Sequence, residues 1–344
     1  ATHTSLIRTC RIGKCLQEGK PEAHSGDPPR TAAYTTGHRK AMETTPARGD
    51  IDELFTVRDW LRYATSRFTQ ARLVFGHGTD TALDEAAFLI LASLHLPVDQ
   101  LEPWLDARLT RPERRRLSDI VEARIATRKP APYLVGEAWI RGHRFTVDER
   151  VIVPRSYIGE LLDQGIAALV TDAGGVERVL DLCTGSGCLA ILAALTFPDA
   201  TVDAADISDD ALAVAASNVA DYGLESRIRL VRSDLFTGLG EGQYDLILSN
   251  PPYVTAAAVA AFPPEYAAEP RLAHLGGADG LDLVRRILAD APAHLAPGGT
   301  LVVEVGMARE RLETEYPDLP FLWLDTEQSE GEVFALSADV LLAR

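Results

Sequence analysis

The feature that most constrains the fold is a regular alternation of short apolar strands and helical segments beyond residue 155. Five segments have the length and composition of buried strands, and they span residues 178–182, 202–206, 228–232, 244–249 and 300–305. Because consecutive parallel strands need a crossover helix between them, this alternation predicts an α/β domain with a mostly parallel sheet over residues 156–344. Two further strands, 321–325 and 332–336, are too close together for such a helix. We expect them to form an antiparallel pair at the end of the sheet.

Residues 50–135 have a different pattern, in which apolar residues recur at helical spacing. Three stretches carry it: "DELFTVRDWLRYATSRF", "DEAAFLILASLHLP" and "RPERRRLSDIVEARIATR". They predict a small N-terminal helical bundle, and we expect this bundle to serve in recognition of a substrate. Residues 136–155 instead alternate apolar and polar side chains around Gly142 and Asp148, which predicts a β-hairpin linker between the bundle and the α/β domain.

The first 49 residues are rich in Thr, Gly, Pro and Arg and show no apolar periodicity, so we expect a disordered extension. Met42 is one of two methionines in the chain and stands just before the first periodic segment. We therefore expect Met42 to be the true start of the protein, which mass spectrometry of the native N-terminus would check.

Composition excludes several classes of function. No apolar run reaches the roughly 18 to 20 residues that a membrane-spanning helix needs, and no secretory signal is evident. From these two absences we expect a cytoplasmic protein. The four cysteines form no CxxC pair and no HExxH motif occurs, so we expect no metal site. Residues 50–344 hold 26 Lys/Arg and 46 Asp/Glu, a formal charge of −20. That charge repels DNA and favours a basic partner.

A glycine turn joins the first strand of the α/β domain to a helix in "RVLDLCTGSGCLAILAAL". Gly185 and Gly187 allow a tight turn and a close approach of a ligand to the backbone, and the start of the helix offers unpaired N–H groups. The next strand ends at Asp206, where a carboxylate can accept both hydroxyls of a ribose. Asp234 and Leu235 follow the third strand, where they could contact an adenine. Taken singly, each feature also has a structural explanation as a tight turn, a helix cap or ordinary turn chemistry.

The segment "SNPPY" follows the fourth strand and lies at the same edge of the sheet. Prolines fix φ and hold the residue before them extended, so the backbone of Asn250, Pro251 and Pro252 is stiff. The Asn250 side chain and the Pro251 carbonyl provide two acceptors that can hold both hydrogens of a planar NH₂ group. Such a grip aims the nitrogen lone pair at an electrophile, while Tyr253 forms a flat wall beside it. These residues are the predicted catalytic group.

Together, these motifs resemble the S-adenosylmethionine-dependent glutamine methyltransferases that share the NPPY signature and a helical N-terminal domain. The resemblance covers about residues 50–342 and includes "RFTQARLVFGHGTD", "VDERVIVPRSYIGE", "DLCTGSGCLAI", "SDLF" and "NPPYV". It implies a Rossmann-like class I methyltransferase sheet and an S-adenosylmethionine pocket. The pocket residues that it implies are Cys183, Thr184, Gly185, Ser186, Gly187, Asp206, Leu235 and Asn250.

The resemblance also implies a substrate. "PRSYIGE" stands where the related release-factor enzymes carry "PRPETE", which favours a glutamine of the basic large-subunit ribosomal protein L-three over one of a release factor. Three other interpretations stay open from the residues: a methyltransferase for adenine's exocyclic amine, a nicotinamide dehydrogenase and a non-catalytic ribosome-assembly factor. Arg155 and Glu269 lie near family motifs, but the sequence assigns them no role and predicts no oligomeric state.

Overall fold

A computed structural model of the protein describes residues 50–164, 166 and 175–343. The expectations for residues 1–49, including a start at Met42, lie outside the described residues. The boundaries 50–135, 136–155 and 156–344 that we draw between domains stay predictions.

A seven-stranded sheet forms the centre of the fold, and a separate two-stranded hairpin precedes it. The hairpin pairs β1 (Glu137–Ile140) with β2 (His143–Thr146) in antiparallel fashion. The large sheet has the order β5-β4-β3-β6-β7-β9-β8. Its strands are β3 (Arg178–Leu182), β4 (Thr201–Asp206), β5 (Ile228–Arg232), β6 (Tyr244–Ser249), β7 (Leu295–Glu304), β8 (Leu322–Leu324) and β9 (Val333–Ser337).

The first five strands of the large sheet are parallel, and β9 pairs antiparallel with both β7 and β8. The predicted fold class is therefore confirmed. Strand β7 differs from the prediction because it begins at Leu295 rather than at residue 300. Leu295 already pairs with Tyr244, and the register then shifts through the "APGG" segment, where Gly298 has a φ of +77°. Pro-Gly-Gly has the composition of a turn, but here it forms an irregularity within a strand.

Helices cover both faces of the sheet. One apolar cluster joins the sheet to α5 (Tyr157–Gln164), α6 (Cys188–Thr196) and α7 (Asp209–Asp221). The opposite cluster joins it to α9 (Asp282–His294), α10 (Arg309–Glu315) and α11 (Ala338–Leu342), while the short α8 (Ala256–Ala260) follows β6. With both faces covered, a parallel strand can be almost continuously buried, as β3 is after its first residue.

The N-terminal helices form the expected bundle. They are α1 (Val57–Gln70), α2 (Ala82–Ser93), α3 (Arg111–Thr127) and α4 (Ala131–Val135). Thr56 and Thr110 each begin a helix with a capping box that satisfies free N–H groups of the first turn. Helix α2 is buried on almost every side and so lies at the centre of the bundle, in one apolar cluster with α1 and α3.

Glu265 attaches the bundle to the α/β domain. This buried residue lies in a 3₁₀ turn, Pro264–Ala268, in the segment between β6 and α9. Its Oε1 accepts hydrogen bonds from the backbone N–H of Val74 at 3.1 Å and from Nη1 of Arg128 at 2.8 Å. The bundle is thus joined to the segment that directly follows the Asn-Pro-Pro-Tyr stretch.

Candidate active site

The glycine turn after β3 takes the left-handed conformation at three residues. Cys183, Gly185 and Gly187 have φ values of 60°, 55° and 80°. A side chain at Gly187 would also meet Ala215 of α7, because its Cβ would lie 3.1 Å from the Ala215 Cβ. At Gly185 the space that a Cβ would take is open. The glycines therefore shape the turn that we predicted, with an open side at Gly185.

Asn218 of α7 connects the glycine turn to the hairpin through hydrogen bonds. Ser186 is buried, and its carbonyl accepts a hydrogen bond from Nδ2 of Asn218 in α7 at 2.8 Å. The same Nδ2 donates to the carbonyl of Thr146 in the hairpin at 3.0 Å. Burial raises the pKa of the Cys183 thiol, so this cysteine stays neutral. Asn218 was not predicted as a site residue. A polar residue in an amphipathic helix is common, and the sequence around Asn218 does not distinguish it from others.

Asp181 is a buried carboxylate beneath the glycine turn, and the sequence analysis did not single it out. Its Oδ2 accepts hydrogen bonds from Thr184 Oγ1 at 2.5 Å and from the Ala190 N–H at 3.0 Å, which ties the turn to the start of α6. Its Oδ1 is buried and has no hydrogen-bond partner among the described residues. Burial raises the pKa of Asp181 to about 7. The signal was present, since an aspartate interrupts an otherwise apolar strand in "RVLDL".

Asp206 stands at the end of β4 beside the turn, as we predicted. Its Oδ2 accepts the Gly185 N–H at 2.9 Å, and its Oδ1 accepts the Ser208 N–H at 2.9 Å. Each oxygen keeps a lone pair for another donor. Ser208, not Asp206, caps α7, because its Oγ accepts the Ala211 N–H. Burial raises the pKa of Asp206.

Asp234 and Leu235 follow β5 and lie at the same edge of the sheet. Leu235 is buried with a φ of 51°, an unusual value for a leucine, and its carbonyl accepts the Ser233 hydroxyl at 2.5 Å. One Asp234 oxygen pairs with Arg286 of α9 at 3.0 Å, in a half-exposed contact. A contact of Asp234 with adenine stays a prediction.

Asn250 has a defined orientation after β6. Its Nδ2 donates a hydrogen bond to the carbonyl oxygen of Arg155 at 3.2 Å. Since a carbonyl can only accept, the nitrogen of the amide must face Arg155, and Oδ1 must lie on the other side. The preceding Ser249 donates to the Leu182 carbonyl at 3.0 Å and so joins the ends of β6 and β3. The Asn250 oxygen is thus left free of the Arg155 contact.

Two glycines of "LGGADG" hold the backbone of Pro252 and Tyr253 at close range. A Cβ at Gly276 would lie 2.6 Å from the Pro252 carbonyl oxygen, and one at Gly280 would overlap the Tyr253 carbonyl oxygen. Val254 adds a backbone hydrogen bond to His274 at 2.9 Å. The stretch that we predicted to be stiff is therefore also packed from outside by a loop of small residues.

Arg155 and Glu269 form a buried ion pair, which explains two residues that the sequence left without a role. Both Arg155 terminal nitrogens donate to Glu269 oxygens at 2.7 Å, and the Val153 N–H donates to the same carboxylate at 3.0 Å. His274 Nε2 lies 2.9 Å from Glu269 Oε2. Burial alone would raise the pKa of Glu269, but the Arg155 guanidinium holds it well below its usual range. The pair fixes the segment whose carbonyl orients Asn250.

A cavity of about 690 Å³ opens beside Tyr253. Its lining comes from the loop after β6 and from the region around α10; it includes Thr255, Asp279, Met307, Glu310 and Arg311. Met307 is 62% exposed. No residue of the glycine turn is among the residues that line this cavity.

Neither a metal centre nor a membrane span is found in the part of the chain that the structure describes. In residues 50–164, 166 and 175–343, His, Cys, Asp and Glu form no group of three or more that could hold a metal ion. Across the same residues, every helix is too short or too polar to cross a bilayer.

The sheet order, the glycine turn after β3 and the Asn-Pro-Pro-Tyr segment after β6 define a Rossmann-like methyltransferase. The family described as Methyltransferase small domain matches residues 156–262. Curated relatives match a larger part of the chain, and six of them bear the name ribosomal protein uL3 glutamine methyltransferase. The relative from Bradyrhizobium diazoefficiens is 57% identical over 292 residues, covering 83% of this chain and 92% of its own.

Two further relatives agree. The one from Bordetella pertussis is 56% identical over 84% of this chain and 97% of its own, and the one from Burkholderia pseudomallei is 53% identical over 84% and 96%. The chain therefore belongs to the family of ribosomal protein uL3 glutamine methyltransferases. This result confirms the family that the motifs indicated and the prediction that the protein is a methyltransferase.

Proposed function

We propose that this protein transfers a methyl group from S-adenosylmethionine to the side-chain amide nitrogen of a glutamine in ribosomal protein uL3. The observation that carries the proposal is the orientation of Asn250, whose Nδ2 faces the Arg155 carbonyl and leaves Oδ1 as an acceptor. The names of relatives that are 53% to 57% identical support both the chemistry and the substrate. A ribosomal protein substrate also favours the cytoplasm as the site of the reaction.

The amide of glutamine needs help to react because its nitrogen lone pair is delocalised into the carbonyl group. Asn250 Oδ1 and the Pro251 carbonyl would accept the two N–H bonds and hold the nitrogen in one position. Both acceptors carry partial negative charge, so they stabilise the positive charge that develops on nitrogen as it is alkylated. Fixed orientation lowers the entropic part of the barrier as well. No strong base is required, because the nitrogen becomes acidic once it has been methylated.

The cofactor would supply an electrophilic methyl group on a sulfonium sulfur. Residues of this chain fit it on two grounds: the glycine turn has an open side at Gly185, and Asp206 keeps acceptor capacity for ribose hydroxyls. Leu235 would cover the adenine ring and Asp234 would bind its amino group. Cys183, Thr184, Ser186 and Gly187 would shape the rest of the pocket through the turn backbone.

Charge favours a ribosomal protein over a nucleic acid as the acceptor. The formal charge of −20 on residues 50–344 attracts basic polypeptides and repels phosphate backbones. Adenine methylation, which uses a similar Pro-Pro-aromatic frame, therefore has less support. A release factor is also less favoured, since the relatives are named for uL3.

A competition assay tests the proposed function. The purified protein is incubated with methyl-labelled S-adenosylmethionine and, in parallel, with uL3, a peptide chain release factor and an adenine-containing oligonucleotide. We expect label only on uL3, and tandem mass spectrometry should locate it on a glutamine side chain. Label on the release factor or on the oligonucleotide in place of uL3 would contradict the substrate assignment.

A further inference from the structure

Glu304, the last residue of β7, is a buried carboxylate that the proposed mechanism leaves without a role. It is 2% exposed. Its Oε1 accepts a hydrogen bond from the Tyr253 hydroxyl at 3.1 Å. Its Oε2 accepts hydrogen bonds from Ser156 Oγ at 2.7 Å and from the Tyr157 N–H at 2.9 Å. One side chain therefore connects the end of β7, the aromatic wall of the site and the start of α5.

The Tyr253 ring is supported on a second side by Gly306, two residues beyond Glu304. A Cβ at Gly306 would lie 2.8 Å from Cε2 of that ring, and the glycine has a φ of +53°. The ring thus rests against backbone that carries no side chain, while its hydroxyl is held by the carboxylate. Because the hydroxyl and one side of the ring are both held, the ring has a fixed position.

From these contacts we infer that Glu304 is a positioning residue that sets the Tyr253 ring against the target glutamine and does so best when it is ionised. The inference rests on the proposed function, because that function gives Tyr253 its place beside the amide. An ionised carboxylate accepts the Tyr253 O–H in a charge-assisted hydrogen bond, which is stronger than the neutral bond that a carboxylic acid would form.

The surroundings of Glu304 place its ionisation in the working range of an enzyme. Burial raises the pKa of Glu304 to about 7, while the hydrogen bonds from Ser156, Tyr157 and Tyr253 act in the opposite direction. Glu332, beside β9, adds a further negative charge that disfavours ionisation. The hydrogen bonds to the Glu304 carboxylate come from two hydroxyl groups and one backbone N–H, and none of these donors is cationic. The carboxylate is therefore mostly neutral below about pH 7 and mostly charged above it.

A pH dependence follows directly. With saturating cofactor and uL3, turnover should rise as the pH increases through about 7, because the charged form holds Tyr253 more firmly. Glu304→Gln should behave at every pH as the neutral wild type does. Its amide oxygen can replace Oε2 and accept from Ser156 and Tyr157, while its NH₂ group faces the Tyr253 oxygen. The variant keeps the shape of the residue and loses only its charge.

The kinetic experiment compares wild type, Glu304→Gln and Glu225→Gln, an exposed glutamate after α7 that serves as a matched control. We expect kcat of Glu304→Gln to be about fivefold below wild type at pH 8 and equal to it at pH 6, with the rise near pH 7 absent. Glu225→Gln should keep the wild-type profile. Tyr253→Phe should abolish the same rise, and the double variant Tyr253→Phe with Glu304→Gln should lose nothing more than Tyr253→Phe alone. A rise near pH 7 that persists in Glu304→Gln overturns the inference.

A spectroscopic measurement tests the same contact without any acceptor protein. Tyrosine labelled with ¹³C at Cζ gives one NMR resonance for each tyrosine, and Tyr253→Phe identifies the resonance of Tyr253. We expect this resonance to shift with a midpoint near pH 7 in wild type and not in Glu304→Gln. A resonance that stays constant overturns the inference whatever the substrate is. A shift without methylation of uL3 would instead count against the proposed function alone.

Discussion

Replacing Glu269 by glutamine removes the charge from the buried pair that fixes the segment carrying Arg155. Both side chains are almost fully buried, at 2% exposure for Arg155 and 0% for Glu269, and both Arg155 terminal nitrogens donate to the carboxylate. Breaking a buried pair by removing one charge costs roughly 3–5 kcal/mol, because the remaining guanidinium is left without a counter-charge. We expect the free energy of unfolding of Glu269→Gln to fall by about that amount.

Urea unfolding at pH 7 measures this loss, and Asp106→Asn is the matched control. Asp106 pairs with Arg58 at the surface, where the side chains are 84% and 58% exposed, so its change should leave stability unaltered. In the folded fraction of Glu269→Gln, kcat should also fall about tenfold, since the Arg155 carbonyl that orients Asn250 is less firmly held. A loss below about 1 kcal/mol, or unchanged turnover, would refute the role that we assign to this pair.

Three further predictions concern Asp181 and Asp206 beside the glycine turn and Gly280 beside the Asn-Pro-Pro-Tyr stretch. The raised pKa of Asp181 means that the folded chain binds a proton that the unfolded chain releases between about pH 4 and 7, so this residue lowers stability as the pH rises through that range. Between pH 4 and 8, the free energy of unfolding measured in urea should therefore fall by up to about 4 kcal/mol more for wild type than for Asp181→Asn. If Asp206 binds the ribose as we propose, Asp206→Ala removes a charged acceptor for two hydroxyls and should weaken S-adenosylmethionine binding about a hundredfold by calorimetry; an unchanged affinity would remove Asp206 from the proposed pocket. Gly280→Ala should reduce kcat at least tenfold and leave cofactor affinity intact, because its Cβ overlaps the Tyr253 carbonyl oxygen; wild-type turnover would show that this backbone can move.

Strand positions were largely predictable from the sequence. Strands β3, β5 and β6 have the bounds that we predicted, because each is a short, mainly apolar run between turn residues. The start of β7 was missed, since Pro-Gly-Gly has the composition of a turn and only pairing with Tyr244 makes it part of a strand. Local sequence specifies a turn residue well, but it does not reveal which neighbour the backbone meets.

The positions of the candidate site residues were predictable where these residues follow the end of a strand, while their roles stay predictions. Gly185, Gly187 and Asn250 stand at strand ends, where a parallel sheet collects ligand-binding residues at one edge. The contacts that hold Tyr253 and Arg155 were not predictable, because the partners are far apart in sequence. Glu304 and Tyr253 are 51 positions apart, and Glu269 and Arg155 are 114 positions apart. The one local signal was a charged residue in an apolar setting, as in "LVVEVG". Such a residue must find a partner, but the sequence does not name it.

The central claim is that Asn250 Oδ1 and the Pro251 carbonyl clasp the glutamine amide during methyl transfer. Single-turnover transfer of label to uL3 by Asn250→Ala, set beside calorimetry with the cofactor, tests it most directly. We predict that the rate falls by about 10²- to 10³-fold while cofactor affinity changes by less than about threefold. Transfer at the wild-type rate, or a loss explained entirely by weaker cofactor binding, would contradict the claim.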